Sequence, residues 1–240
     1  MFDLDDTLFD HRTTSSATLR GLAAGYPTLR AAEPDLLEAE FHRLLEETWS
    51  VVLAGGMTPH QARVERFRRL FEWCGGSLDD EECESLAVQY RAAYQGNRVP
   101  VAGALALLER LHGRVVISIV TNNFVEEQRE KMQHCGFDCL VSHLTTADEA
   151  GVSKPDVAIY RLALSKAECE PSEAVMVGDS WSADVLGAVA VGVRAVWFNR
   201  LGLARPKTAP EVAEIAALTP TEEVAALLLN APIPDATAGR

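Results

Sequence analysis

The 240-residue chain is 48% hydrophobic and 24% charged, the balance of a soluble globular protein with room for one core and an inserted smaller domain. Its net charge of −13 argues against nonspecific binding to nucleic acid polymers or anionic membrane, so an anionic small-molecule substrate would need a local pocket of positive charge. No apolar run approaches the ~20 residues of a membrane span. The N-terminus is acidic by Asp3 and reads as no secretory signal, and five cysteines without a CxxC pair suit a reducing cytosol.

The chain opens on Phe2-Asp3-Leu4-Asp5-Asp6-Thr7-Leu8. Two carboxylates two residues apart on a strand point to opposite faces. If the strand ends at Asp3 and the backbone turns there, both reach one site at its carboxyl end, where parallel α/β sheets place ligands. A carboxylate in that position can attack phosphorus and a second can move protons. Taken alone, the heptad reads equally well as a strand with a solvated acidic turn.

Thr13-Thr14-Ser15-Ser16 offers helix N-cap hydroxyls, and no strand pattern interrupts the following eighty or so residues. Leu36, Leu37, Phe41, Leu44, Leu45, Trp49 and Val52 form a stripe of near 3.6 period, ended by Gly55-Gly56. Thr58-Pro59 restarts a helix with Val64, Phe67, Leu70, Phe71 and Cys74 on one face, and Asp79 to Tyr94 gives another. Residues 14–95 therefore read as an inserted all-helical domain whose aromatic stripes form its core.

From Val99-Pro100 helices and strands alternate. Strands are expected at Val115–Val120, Cys139–Val141, Ala174–Val177 and Ala195–Phe198, with helices at 102–112, 124–135, 156–166 and 183–190. Thr219-Pro220-Thr221-Glu222 has the form of a capping box opening a terminal helix to Leu229. The tail 231–240, rich in Pro and small residues, is expected to be disordered. His134, Cys135, Cys139 and His143 fit none of the usual zinc spacings. With the N-terminal segment, the pattern makes an α/β fold, a doubly wound five-stranded parallel sheet built from 1–13 and 96–230.

Polar clusters follow these strands. They are Asp3-x-Asp5-x-Thr7, Thr121-Asn122-Asn123, Ser153-Lys154-Pro155-Asp156, and Gly178-Asp179-Ser180 with Asp184. Singly, each has a structural reading as a helix cap, a surface lysine or a turn. Jointly, at successive strand ends, they supply what phosphoryl transfer needs. Hydroxyl, ammonium and backbone N–H donors serve the phosphoryl oxygens, and crowded carboxylates call for a cation. Two carboxylates ~4 Å apart repel by about 4 kcal/mol at an effective dielectric near 20, and all-oxygen ligands suit Mg²⁺.

Asp3-Leu4-Asp5-Asp6-Thr7, Thr121 after a hydrophobic strand, Lys154 in Ser-Lys-Pro-Asp, and Gly-Asp-Ser with Asp184 together resemble the four motifs of the haloacid dehalogenase-like (HAD) hydrolases, from Met1 to about Asn199. The resemblance implies a HAD-like Rossmannoid core with 14–95 as a C1-type α-helical cap. It implies Asp3 as nucleophile forming an aspartyl-phosphate, and Asp5 as acid and base. Thr121, Asn122 and Lys154 would hold the phosphoryl group. Asp3, the Asp5 carbonyl and Asp179 would bind Mg²⁺, with Asp184 and Thr7 supporting that site from one layer out. Asp5 favours a phosphatase over a 2-haloacid dehalogenase. Asp6 where Gly is commoner, with Leu8-Phe9 and Ala195-Val196-Trp197-Phe198-Asn199, resembles the branch holding the pyrimidine 5'-nucleotidase YjjG and N-acylneuraminate-9-phosphatase.

The implied activity is a cytoplasmic, Mg²⁺-dependent phosphatase, monomer or homodimer, acting on a small phosphomonoester such as a nucleoside 5'-monophosphate or sugar phosphate. A phosphomutase using the same aspartyl-phosphate is the alternative enzyme. A phosphoryl-accepting regulatory protein is the alternative of another class. Only Met1 and Phe2 precede Asp3, fewer apolar residues than the family usually places there. A start further upstream, or a weakly held first strand, is therefore expected.

Overall fold

The computed structural model describes residues 1–207 and 210–229, so the tail at 231–240 lies outside the described residues. These divide into two compact units, one of residues 1–11 with those from 99 onward, the other of residues 12–98.

The first unit is built on parallel strands β1 (Ser118–Thr121), β2 (His143–Thr146), β3 (Val175–Gly178), β4 (Arg194–Phe198) and β5 (Ala213–Ile215). The N-terminal segment lies between β1 and β3, where Phe2 bridges Ile119 on one side and Val177 on the other, both parallel. The order across the sheet is therefore β2, β1, N-terminal segment, β3, β4, β5. Phe2 N–H donates to Ser118 O (2.8 Å), Asp3 N–H to Val177 O (2.9 Å) and Val120 N–H to Phe2 O (2.9 Å). The Met1 ammonium donates to Val175 O at 2.7 Å. The short segment is thus hydrogen-bonded on both sides. Ile119, Val120 and Val177 are fully buried, as strands covered on both faces require. Below one face Met1, Val120, Ile159, Tyr160, Met176, Val185 and Trp197 form a single core.

Several elements depart from expectation. Val115 and Val116 are exposed, because the Val115 amide is spent on Leu111 O at 3.2 Å and the strand begins only at Ser118. Cys139–Val141 is no strand. The Leu140 and Val141 amides fold back onto Phe137 O, Cys139 is exposed, and the ladder starts where Ser142 N–H meets Ile117 O (2.8 Å). The predicted helix at 183–190 is a wide π-helical turn, Trp181–Leu186, running into an α-turn at Gly187–Ala190. The terminal helix runs Thr221–Leu228 with Pro220 at its N-cap, so the box expected from Thr219 does not form. β5 was not predicted, since Ala-Glu-Ile at a sheet edge carries no alternating apolar run.

The second unit is helical among its described residues, with Pro34–Leu53, Pro59–Trp73 and Asp80–Gly96 as its long helices. Thr58 with Gln61 and Asp79 with Glu82 form reciprocal capping boxes that satisfy first-turn amides. Leu37, Phe41, Leu44 and Val52 are buried along one stripe, while Leu36 faces solvent. Phe41, Phe67 and Tyr90 meet with ring centroids 5.4–6.0 Å apart. Thr14, Ser15 and Ser16 do not cap a helix. They lie buried inside one that starts at His11, with Ser15 Oγ bonded back to Arg12 O (3.0 Å).

Gly187 sits where an added Cβ would come 2.6 Å from Tyr160 Cε2, and the Tyr160 ring is fully buried with its hydroxyl on Ala183 O. Gly187→Ala is expected to cost about 1–3 kcal/mol through overpacking. Urea unfolding would register this as a lower midpoint at unchanged slope, and an unchanged midpoint would mean the ring yields freely.

Candidate active site

Asp3 stands at the end of the N-terminal segment, and the chain then curls on itself. The amides of Leu8 and Phe9 both donate to Leu4 O (3.0 and 2.8 Å), and Asp6 takes a left-handed conformation at φ 63°. Asp and Asn tolerate that region better than most residues. Arg200, beyond β4, donates to both Asp6 (2.7 Å) and Asp10 (2.8 Å), holding the curl from outside.

At the centre is Lys154, 5% exposed. Its ammonium donates to Asp3 Oδ1 (2.5 Å), Asp184 Oδ1 (2.6 Å) and Val120 O (2.8 Å), which uses all three N–H groups. Burial works against that charge, but Asp184 and Asp3 outweigh it and raise the lysine pKa above its ordinary value. Asn122 clips the same lysine by its backbone, accepting from Lys154 N–H (2.6 Å) and donating to Lys154 O (2.9 Å).

Carboxylate oxygens of Asp3, Asp179 and Asp184 all lie within 4.8 Å of one another. Burial pushes the Asp3 carboxyl upward; Lys154 opposes this, and Asp184 and Asp179 reinforce it. Asp179 is pushed up to about 7 by burial, then by Asp184 and Asp6. Three crowded carboxyl groups, Asp3 and Asp184 buried and Asp179 half-buried, share one ammonium, and their donor set is oxygen alone. That chemistry fits a hard divalent cation such as Mg²⁺. Thr7 Oγ1 accepts from the Asp179 amide (3.1 Å), and Trp197 Nε1–H donates to Asp179 O (2.9 Å), fixing the turn. Asp184 caps the same turn by accepting from Ser180 N–H at 2.9 Å.

Asp5 faces other partners. Its carboxylate accepts from Lys131 Nζ (2.5 Å), Gln128 Nε2 (2.9 Å) and Asn123 Nδ2 (3.2 Å). Burial alone would raise its pKa, but Lys131 and His11 reverse the sign and hold it below the usual carboxylate range. Gln128 also donates to Thr121 Oγ1 (2.6 Å), linking Asp5 to the end of β1.

All eight residues singled out in the sequence lie in this unit. Lys154 joins Asp3 to Asp184, and Gln128 joins Asp5 to Thr121. Thr7 touches Asp179, and Asn122 touches Lys154. Sequence reasoning missed Lys131, Gln128 and Arg200, and it placed Asn123 in the cluster after the strand without giving it a role. Gln128 and Lys131 are i, i+3 neighbours on the Val125–His134 helix just after Thr121, and both are buried. Two polar residues on one face of that helix were the available signal.

Comparison with known proteins accords with this geometry. The family model of haloacid dehalogenase-like hydrolases matches residues 1–192. A phosphoserine phosphatase of Thermus thermophilus is 32% identical over 88% of this chain and 93% of its own. The pyrimidine 5'-nucleotidase YjjG of Escherichia coli is 28% identical over 82% of this chain and 84% of its own. Among solved structures, the magnesium-bound HAD-hydrolase YfnB of Bacillus subtilis superposes with a TM-score of 0.76 at 21% identity, covering 95% of this chain and 96% of that one.

Removing the Lys154 ammonium leaves Asp3 and Asp184 buried without their shared partner. Lys154→Met is expected to lower stability by about 3–5 kcal/mol in metal-depleted buffer, read from urea unfolding. A loss under ~1 kcal/mol would show that the lysine charge is not what keeps the carboxylates together.

Proposed function

The chain belongs to the haloacid dehalogenase-like hydrolase family, as an enzyme whose named relatives include phosphatases, and we propose that it removes phosphate from a small phosphomonoester. The observation that carries this reading is the pairing of two differently set carboxylates on one curl. Asp3 lies against Lys154, with Asp179 and Asp184 beside it, and Asp5 against Lys131 and Gln128.

In the proposed reaction an Asp3 carboxylate oxygen attacks phosphorus, the bond to the leaving oxygen breaks, and an aspartyl-phosphate forms. Asp5 in its protonated form gives the leaving oxygen its proton. As carboxylate, the form Lys131 favours, it takes a proton from the water that attacks the phosphoenzyme, releasing phosphate and restoring Asp3. Thr121 and backbone amides near Asn122 would donate to the phosphoryl oxygens, and Lys154, its three N–H groups held by Asp3, Asp184 and Val120 O, would place its positive charge beside them. Asp3, Asp179 and the Asp5 carbonyl would hold Mg²⁺, with Asp184 supporting that site from one layer out, and the ion when bound would offset the charge of these carboxylates and of the phosphoryl group. Residues 14–95 are proposed as the α-helical cap.

The substrate class is the one a phosphoserine phosphatase and a 5'-nucleotidase share, a small phosphomonoester such as a nucleoside 5'-monophosphate or sugar phosphate. A net charge of −13 and five cysteines, all as free thiols, support a cytoplasmic setting away from nucleic acid polymers and anionic membrane. Among the described residues, no helix is long and apolar enough to cross a membrane.

Two measurements test the reading. Release of phosphate from p-nitrophenyl phosphate and a panel of nucleotides and sugar phosphates should vanish in Asp3→Asn and fall roughly 10²–10⁴-fold in Asp5→Asn. Wild-type rates in Asp3→Asn would remove the nucleophile assignment. Chelation should silence the enzyme and Mg²⁺ should restore it, whereas undiminished turnover in a chelator would rule out the metal.

A further inference from the structure

The helical unit buries a positive charge without supplying a negative partner. Arg66, on the Pro59–Trp73 helix, is 5% exposed. Its Nη2 donates to Thr48 Oγ1 at 3.3 Å, and its guanidinium lies 5.4 Å from the Phe41 ring centroid. Its Nε makes no hydrogen bond within the protein. Thr48 is neutral and already donates its own hydroxyl to Leu44 O (2.8 Å).

Three exposed or half-exposed arginines of this unit sit in ion pairs instead. Arg43 pairs with Glu40 and Glu47, Arg69 with Glu47, and Arg68 with Asp80. Among the described residues, no carboxylate lies within ion-pair distance of Arg66, and the ionisable groups that act on it are Tyr90, Arg63 and Tyr94. Burial draws its pKa down to about 10, which leaves it charged at neutral pH. Tyr90 offers no countercharge, since burial pushes its phenol upward and keeps it neutral. The Tyr90 hydroxyl is itself buried, at 3% residue exposure, and without a hydrogen-bond partner. It packs on the same Phe41 ring, with centroids 5.4 Å apart.

Two side chains with unspent donors, one of them cationic, therefore pack on the same aromatic ring. A buried guanidinium is retained at a cost unless something compensates it, and an apolar side chain would pack on Phe41 without that cost. What completes donors of this kind is an acceptor-only anion, and a planar guanidinium matches oxyanion geometry. We propose that Arg66 and Tyr90 form an oxyanion-binding site within the helical unit, taking a carboxylate or a phosphate-type group. The site uses none of the residues assigned to phosphate removal and stands or falls apart from that reading.

Thermal unfolding of the full chain in metal-depleted, low-anion buffer tests it, titrating malonate in one arm and sulfate in another at matched ionic strength. The wild-type midpoint should rise roughly 5–10 °C at about a hundred times Kd. Arg66→Met should lose that rise and melt no lower than wild type without anion, because an unpaired buried charge has been removed. Tyr90→Phe should keep the anion-free midpoint and bind about 10-fold or more weakly. A response to malonate alone assigns a carboxylate, and one to sulfate alone a phosphate-type group. No rise in wild type with either anion, or a full rise in both variants, overturns the site. So does an anion-free midpoint of Arg66→Met well below wild type with Tyr90→Phe binding undiminished, which would make the arginine a structural strut.

Discussion

One ammonium group holds the carboxyl end of the sheet together at the candidate site. Lys154 Nζ bonds Asp3 from the N-terminal segment, Asp184 from the turn after β3 and the Val120 carbonyl of β1. No two of these are neighbours in sequence, and none of the carboxylates would be tolerated ionised in so buried a place alone. The convergence has a steric condition as well. An added Cβ on Gly178 would sit 2.2 Å from Asp184 Cγ, so only glycine lets that carboxylate come so close to the end of β3. Three carboxylates around one lysine still leave negative charge in excess, and that excess is the physical argument for a divalent cation.

The curl from Asp3 to Asp10 sorts two like residues into unlike chemistry. Asp3 and Asp5 are separated by one residue, yet burial beside two other carboxylates lifts Asp3, while Lys131 and Gln128 hold Asp5 down. The Lys131 ammonium favours the Asp5 carboxylate, the form that takes a proton from water, while on Asp3 the Lys154 ammonium works against the lift of burial, toward the ionised form a nucleophile needs. Arg200 keeps the curl in shape by gripping Asp6 and Asp10. Asp6, where the resembling family more often has Gly, adopts the positive φ a Gly would take and puts its carboxylate to use in that grip.

The helical unit poses a different electrostatic question. Arg43, Arg68 and Arg69 are matched to glutamates and an aspartate on the same or adjoining helices, as solvated ion pairs usually are. Arg66 is buried among aromatics instead. Within the chain it has the Thr48 hydroxyl and the Phe41 ring, and the proposed oxyanion would supply the missing countercharge.

Which residues gather at the candidate site was legible in the order of residues alone, because parallel strands present the residues that follow them at their carboxyl ends. Asp3, Asp5, Thr121, Lys154, Asp179 and Asp184 each follow a strand or open the turn after one, and the alternation of elements announced an α/β fold. Strand limits were less legible. The β-branched run at Val115–Val120 looks alike throughout, and only the capture of the Val115 amide by Leu111 decides that the ladder begins at Ser118. The partners were not legible at all. Lys131 and Gln128 read as solvated helix positions in a run of charges, and Arg200 as a loop cation, until tertiary packing turns them inward onto Asp5 and Asp6. Spacing along a chain reports what one element presents, whereas pairing across elements depends on distances that only the folded sheet creates.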